Sequence, residues 1–342
     1  MPRITSLTPE PRSALSAMEA EHVFDRIAQF AHYGFNKSHA AAYAAISYHT
    51  AYLRTHHPEA FFAAAMNLCL DDVEAIAAHA DDLRRRGLVL EKPAINRAGT
   101  AFAPDPEAAG QLRYGLAALR GVGRKDAAAI VAERDRAGPF GSIEGAMVRL
   151  RGVVGRGALK ALAKAGAFDC LGAKRAEALA HAASATPAAG GGQGSLFDMM
   201  DDAPTTITVD PLTRTQALDL EFDVLGHYHS AHPLGAASCP LAQLRAAHLD
   251  GPRDIRVEAI VTASDTLRTN DGDTIGLLTV STPGGLTQLR AGDRLWPRIA
   301  RMCTKKARLM LTLRALPDAG SVRLLLNDAA PVAAPAEAVT AA

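Results

Sequence analysis

Apolar residues recur at helical spacing through the first two thirds of the chain and then switch to every second position. This predicts an α-rich stretch followed by a β-rich one. Val23, Ile27 and Phe30 share one face of a helix that starts at Glu19, and Gly34 is its natural C-terminal cap. Ser38 suits the cap of a second helix, which should end before Pro58 because the residue ahead of a proline avoids the α region. The run "EAFFAAAMNLCL" opens a third helix, and "DDVEAIAAHADDLRRRG" (71–87) makes an amphipathic fourth that Gly87 stops. Short extended pieces follow at "LVLEKPAIN" and "QLRYGL", then short helices joined by glycine hairpins between Leu116 and Gly172. From about 183 to 192 the composition collapses into Ala, Gly, Ser and Pro, a linker that cannot bury enough to stay ordered. Another helix reads over 213–225. Between 254 and 328, "RVEAIVTAS", "TIGLLTVS" and "ARLMLTLRAL" alternate as strands, and "NDGD" (270–273) supplies a hairpin turn. The spacing suggests six strands in a small barrel of OB type.

Composition adds limits rather than direction. A chain of 342 residues allows two or three domains. Its 48% hydrophobic content and net charge of +1 carry no global polyanion signature, so any nucleic-acid surface must be local. Cys69, Cys170, Cys239 and Cys303 lie far apart without C-x-x-C spacing, which argues against a zinc site or a disulfide framework and for a reducing cytoplasm. No secretory segment opens the chain and no apolar run approaches a membrane span. Aromatic content of 5% and abundant Ala favour helices over sandwiches.

The strongest chemical signal is "LRGVGRKDAAAIV" (119–131), a helix–hairpin–helix pattern. Gly121 and Gly123 let backbone N–H groups at the second helix's N-terminus approach a phosphate with no Cβ in the way, and Arg124 and Lys125 add charge. Such contacts hold DNA without reading its sequence. The plainer alternative is a glycine turn between packed helices. At "LRGVVGRGALKALAKAGAFD" (150–169) a weaker copy follows with irregular glycines, where a purely structural role stands equally. Base-excision glycosylases use an L-x-G-V-G-x-K turn of this kind but need an Asp after a downstream Gly-Pro; here Phe140 follows Gly138-Pro139. "FNKSHAAAY" (35–43) sets Asn36, Lys37, Ser38 and His39 at a helix N-terminus, where Lys37 and His39 suit a triphosphate and where a simple capped helix start fits as well. His227, His229 and His232 in "GHYHSAHPL" have no Cys or carboxylate beside them to complete a metal site. The Asp pairs at 71–72, 81–82 and 201–202, with Asp271 and Asp273, sit on helix faces, in the linker or in a turn, not on a strand as a two-metal pair requires. In "GGGQGSLFDMMDD" (190–202), Leu196 and Phe197 form an exposed apolar pair on a glycine tether, suited to another protein's pocket.

Taken in order, "YGFNKSHAAAYAAISYHTAYLRTHHPEAFFAAAMN", "PAIN" (93–96), "RYGLAALRGVG" (113–123), "KALAKAGAFD" (160–169) and "VLGHYHSAHPL" (224–234) closely resemble the C-terminal portion of the bacterial DNA polymerase III alpha subunit, a C-family replicative DNA polymerase. The resemblance covers roughly residues 19–330. It implies a multidomain, mainly α chain followed by an all-β OB-type barrel. Residues 1–18 would be a disordered or non-family start and 19–70 the end of the polymerase fingers. A clamp-binding region with tandem helix–hairpin–helix units would span 71–182, then a flexible linker with the clamp-binding peptide 183–212. A helical connector (213–253), the OB domain (254–330) and a disordered tail (331–342) would complete it.

The resemblance also implies roles. Asn36, Lys37, Ser38 and His39 would face the incoming triphosphate. Gln193 would bond at the rim of a cleft on the beta sliding clamp while Leu196 and Phe197 fill its apolar pockets, a compact hot spot. Arg290, Arg294, Trp296, Lys305 and Lys306, with Arg298, Arg301 and Arg308 nearby, would hold single-stranded template, chiefly through phosphates because Trp296 is the only aromatic from 254 to 330. The histidine run becomes a variant of the family's LG-aromatic-Y-x-S-x-HPL segment, with His227 in the aromatic position. The family's palm, whose three aspartates hold two magnesium ions, has no counterpart here, so no cofactor is expected in this chain and no polymerisation by it alone. Expected partners are duplex and single-stranded DNA, the beta sliding clamp and other replicase subunits in the cytoplasm, with no membrane. A stand-alone DNA-binding adaptor that recruits the clamp is the alternative reading, with a helix–hairpin–helix glycosylase behind it.

Overall fold

The computed structural model describes residues 16–33, 37–184, 209–235, 251–269, 272–318 and 321–332. Two compact units divide after Pro58. The first holds helices α1 (Ala17–Tyr33) and α2 (Lys37–His56). Ser16 starts α1 two residues ahead of the sequence expectation, its hydroxyl and N–H both donating to the Glu19 carboxylate at 2.7 and 2.8 Å. The apolar stripe of α1 is present but uncovered: Val23, Phe24 and Ile27 are exposed, as are Tyr43, Ile46, Tyr48, Tyr52 and Leu53 on α2. Ser38 lies inside the first turn of α2 rather than at its cap, and Gly34 falls outside the described residues.

The second unit begins at Glu59, one residue into α3 (Pro58–Leu68), which sends Phe62, Ala63 and Met66 into a core that continues to Ala182 and takes in Val224 and Leu225. The fingers segment expected to run to residue 70 is therefore divided at 58, because this apolar face is covered from the C-terminal side. Asp72 caps α4 (Val73–Arg85) by accepting two backbone N–H bonds. Strands β1 (Val89–Leu90), β2 (Ala103–Pro104) and β3 (Gln111–Arg113) form a small sheet in the order β1-β3-β2. Two asparagines stitch loops as a strand partner would: Asn67 bonds both the N–H and the C=O of Phe102, and Asn96 does so for Phe140, all at 2.8–2.9 Å. A 3-10 turn (Leu116–Ala118) leads into α5 (Arg124–Ala137), α6 (Ile143–Arg151), α7 (Arg156–Ala165) and α8 (Arg175–Ser184). After the linker, Thr213 and Gln216 form a capping box that starts α9 (Arg214–Leu225).

The β region comprises β4 (Arg253–Arg268), β5 (Thr274–Thr282), β6 (Gly285–Ala291), a short helix α10 (Trp296–Ile299), β7 (Arg308–Asp318) and β8 (Ser321–Pro331). All pairings are antiparallel in the order β6-β5-β4-β7-β8. Among the described residues there are five strands here, not six; β4 is a single 16-residue strand that serves β7 with its first half and β5 with its second. A bulge between Val261 and Ala263 bends it at the changeover. The edge strands β6 and β8 approach within 8 Å at their Cα atoms without a hydrogen-bonded ladder, so the sheet curls around its core without closing. The β5–β6 hairpin rests on α4: Arg84 donates to the Pro283 carbonyl at 3.0 Å. Gly285, at φ +115°, lies so close that a Cβ would sit 2.2 Å from Asp81 Oδ1.

Candidate nucleic-acid interface

The first hairpin is built as its glycines require. Gly121 holds φ +95° with a would-be Cβ only 3.3 Å from the Ala161 Cβ of α7, while Val122 between the glycines is buried. Gly123 is the N-cap of α5 at φ −73°, ψ 160°, and no side chain caps the helix. The first N–H groups of α5 are thus left for an outside acceptor. Arg124 and Lys125 are exposed beside them. Arg124 stands 4.0 Å from Asp71, an exposed pair of little energetic consequence.

The second hairpin repeats the helix cap of the first, although Gly152 stands at φ −91° where Gly121 is at +95°. Helix α6 ends at Gly152, Val154 is buried where Val122 is, and Gly155 caps α7 at φ −71°, ψ 155°, again with no side-chain cap. Helix α5 carries Asp126 in its first turn, whereas α7 carries no acid there and exposes Arg156 and Lys160. Its N-terminal dipole is the less neutralised of the two. The irregular glycine count had hidden this match: one extra residue between the glycines is absorbed by the C-terminal turn of α6. Gly155, Arg156 and Lys160 are the residues that sequence reasoning passed over.

The expected single-strand set separates. Arg290 and Arg294 are exposed, and so is Lys305, whose ammonium lies 5.3 Å from the Phe222 ring centre. Trp296 is only 4% exposed. Its indole N–H donates to Thr266 Oγ1 at 2.9 Å and its ring covers Gly276, where a Cβ would fall 2.0 Å from the indole. This corrects its place in the expected single-strand set: Trp296 belongs to the β core and has no face to offer a base. Lys306 is likewise committed, binding Asp223 Oδ1 at 2.6 Å and the Asp219 carbonyl at 3.1 Å, which fastens the β region to α9. Arg308 pairs with Glu258.

On α2, Lys37 is the first helical residue, Ser38 and His39 are exposed, and the His39 ring lies tilted against Tyr43 with centroids 4.3 Å apart. The first turn of α2 carries no acid. Asn36, and the tether residues Gln193, Leu196 and Phe197, lie outside the described residues.

The histidine run is packed into the fold. Burial pushes His227, His229 and His232 each down to about 4, so all three rings are neutral at pH 7. His227 Nδ1 donates to the Leu225 carbonyl at 3.1 Å, and His232 Nε2 bonds Ser281 Oγ at 3.1 Å. The turn between them is tied down by buried Glu221, which accepts the N–H groups of His229 and Ser230 at 2.7 Å and the Ser230 hydroxyl. Phe140, which follows Gly138-Pro139, is buried beneath the Arg149 guanidinium.

A helix-hairpin-helix motif family matches residues 87–178, spanning both hairpins. Among curated proteins, the DNA polymerase III subunit alpha of Neisseria meningitidis serogroup B is 34% identical over 295 residues, 83% of this chain and 26% of the relative. The subunit of the same name from Caulobacter vibrioides is 32% identical over 337 residues, 93% of this chain and 29% of the relative. That of Thermus aquaticus is 37% identical over 241 residues, 66% and 19%. The chain thus spans about a quarter of the length of the curated relatives it matches.

Proposed function

This chain belongs to the DNA polymerase III alpha subunit family, and we propose that it supplies the DNA-holding and clamp-binding part of a cytoplasmic bacterial replicase, corresponding to the C-terminal portion of that subunit. The observation that carries the reading is the pair of glycine-capped helix N-termini, on α5 and α7, each open to an anion and flanked by exposed cations. Two such units in one matched segment suit the phosphates of a duplex, bound regardless of sequence.

The tether peptide Gln193-x-x-Leu196-Phe197 is proposed to seat in the beta sliding clamp, and Lys37, Ser38 and His39, with Asn36, to face the triphosphate of the incoming nucleotide. Five curled antiparallel strands around a short helix suit a partly open OB-type barrel, on which Arg290, Arg294 and Lys305 would meet single-stranded template phosphates. The uncovered apolar residues of α1 and α2 fit a fingers segment that packs on further polymerase elements. Nucleotidyl transfer in this family draws on magnesium held by palm aspartates; the chain alone is proposed not to extend a primer.

Two variants separate the two binding functions. Arg156→Glu/Lys160→Glu should weaken duplex binding at least tenfold and leave clamp binding unchanged. Leu196→Ala/Phe197→Ala should abolish clamp binding and leave duplex affinity within about twofold. Variants that lose neither, or that lose both together, would contradict the assignment.

A further inference from the structure

Where α6 begins and α8 runs, Glu144, Glu177 and His181 bring one ligand atom each to within 4.8 Å of one another. Glu177 and His181 are four residues apart and share a face of α8; Glu144 comes from the first turn of α6. The His181 side chain is 10% exposed, and its Nε2 is shielded from solvent with no hydrogen-bond partner. The nearest carboxylate oxygen, Glu144 Oε1, stands at 3.9 Å, too far for a hydrogen bond. Two carboxylates and a shielded imidazole nitrogen without a partner are gathered where two helices meet.

We propose that Glu144, Glu177 and His181 form a divalent-cation site of the zinc type that staples α6 to α8. Zinc takes imidazole nitrogen and carboxylate oxygen at about 2.0–2.2 Å and is satisfied by three protein ligands with water as the fourth. A tetrahedron of those bonds sets its ligand atoms about 3.4 Å apart. Both glutamates are half-exposed and long, so rotamer changes supply the contraction without moving a helix. Magnesium suits the site poorly, since it favours oxygen ligands and keeps its water. The site braces the second hairpin through its first helix, α6, and does not depend on what that hairpin binds.

The test is a zinc titration of the chelator-stripped full chain, followed by calorimetry and by thermal unfolding. Wild type should take up one tight equivalent that raises the melting temperature and that excess magnesium does not displace. His181→Gln should lose that equivalent, its affinity falling by at least the 10–100-fold that even an outer-shell partner commands. Glu177→Gln, on a half-exposed side chain, should give the same loss without touching the core. Zinc uptake of equal stoichiometry and affinity in wild type and both variants would overturn the proposal, as would a wild type that takes up no tight equivalent.

Discussion

His227 illustrates how a residue can be committed to packing and still leave a measurable signature. Its ring is buried, its Nδ1 bonds the Leu225 carbonyl, and burial reinforced by neighbouring His229 lowers it to about 4, against an unfolded value of about 6.5. Between these values the unfolded chain takes up a proton that the folded chain refuses. Stability is therefore fully present above about pH 6.5 and is lost as pH falls toward 4, by up to roughly 3 kcal/mol for this ring. His229 and His232 push the same way. Urea midpoints should decline from pH 7 to pH 4.5, and His227→Phe, an aromatic of the kind the family segment resembles at this place, should flatten part of the decline. An unchanged pH profile in that variant would show that another group carries it. Spacing gave these histidines no metal-ligand pattern, since no Cys or carboxylate lies beside them in sequence; that they are buried was not legible. Nor could it reveal that Trp296, expected in the single-strand set, is buried over Gly276.

At the scale of elements, glycine placement made the first hairpin legible, since φ +95° at Gly121 and an uncapped α5 follow directly from which residues lack a Cβ. The second hairpin was less legible because a one-residue difference in the turn changes the pattern but not the cap geometry of α7. The β strands were legible by period, but their number was not: five described strands stand where six were expected, and β4 bends at a bulge to serve two partners, which the alternation does not show. The close approach of Gly276 to Trp296 yields an element-level test. Gly276→Val overfills the contact between β5 and α10, so the indole must leave the core, at about 1–3 kcal/mol. As this is the only tryptophan of the chain, its fluorescence should shift to the red and lower urea should unfold the variant. Emission matching wild type would refute the packing described.

For the whole molecule, two units divide after Pro58: one a pair of helices with exposed apolar faces, the other carrying both hairpins and the curled sheet. The order of segments was readable because several long stretches resemble one family in sequence. The division at 58 was not, because it depends on Phe62 and Met66 finding their partners in residues far along the chain. With a net charge of only +1, nothing global would draw this chain to DNA, so the proposed binding rests on local cations and open helix N-termini. The most direct measurement is duplex affinity as a function of salt for two unrelated sequences. Equal affinities and one shared linear fall of log Kobs with log salt are expected, each phosphate contact adding about −0.9 to the slope. Affinity that differs strongly between the sequences, or that ignores salt, would contradict the proposed binding.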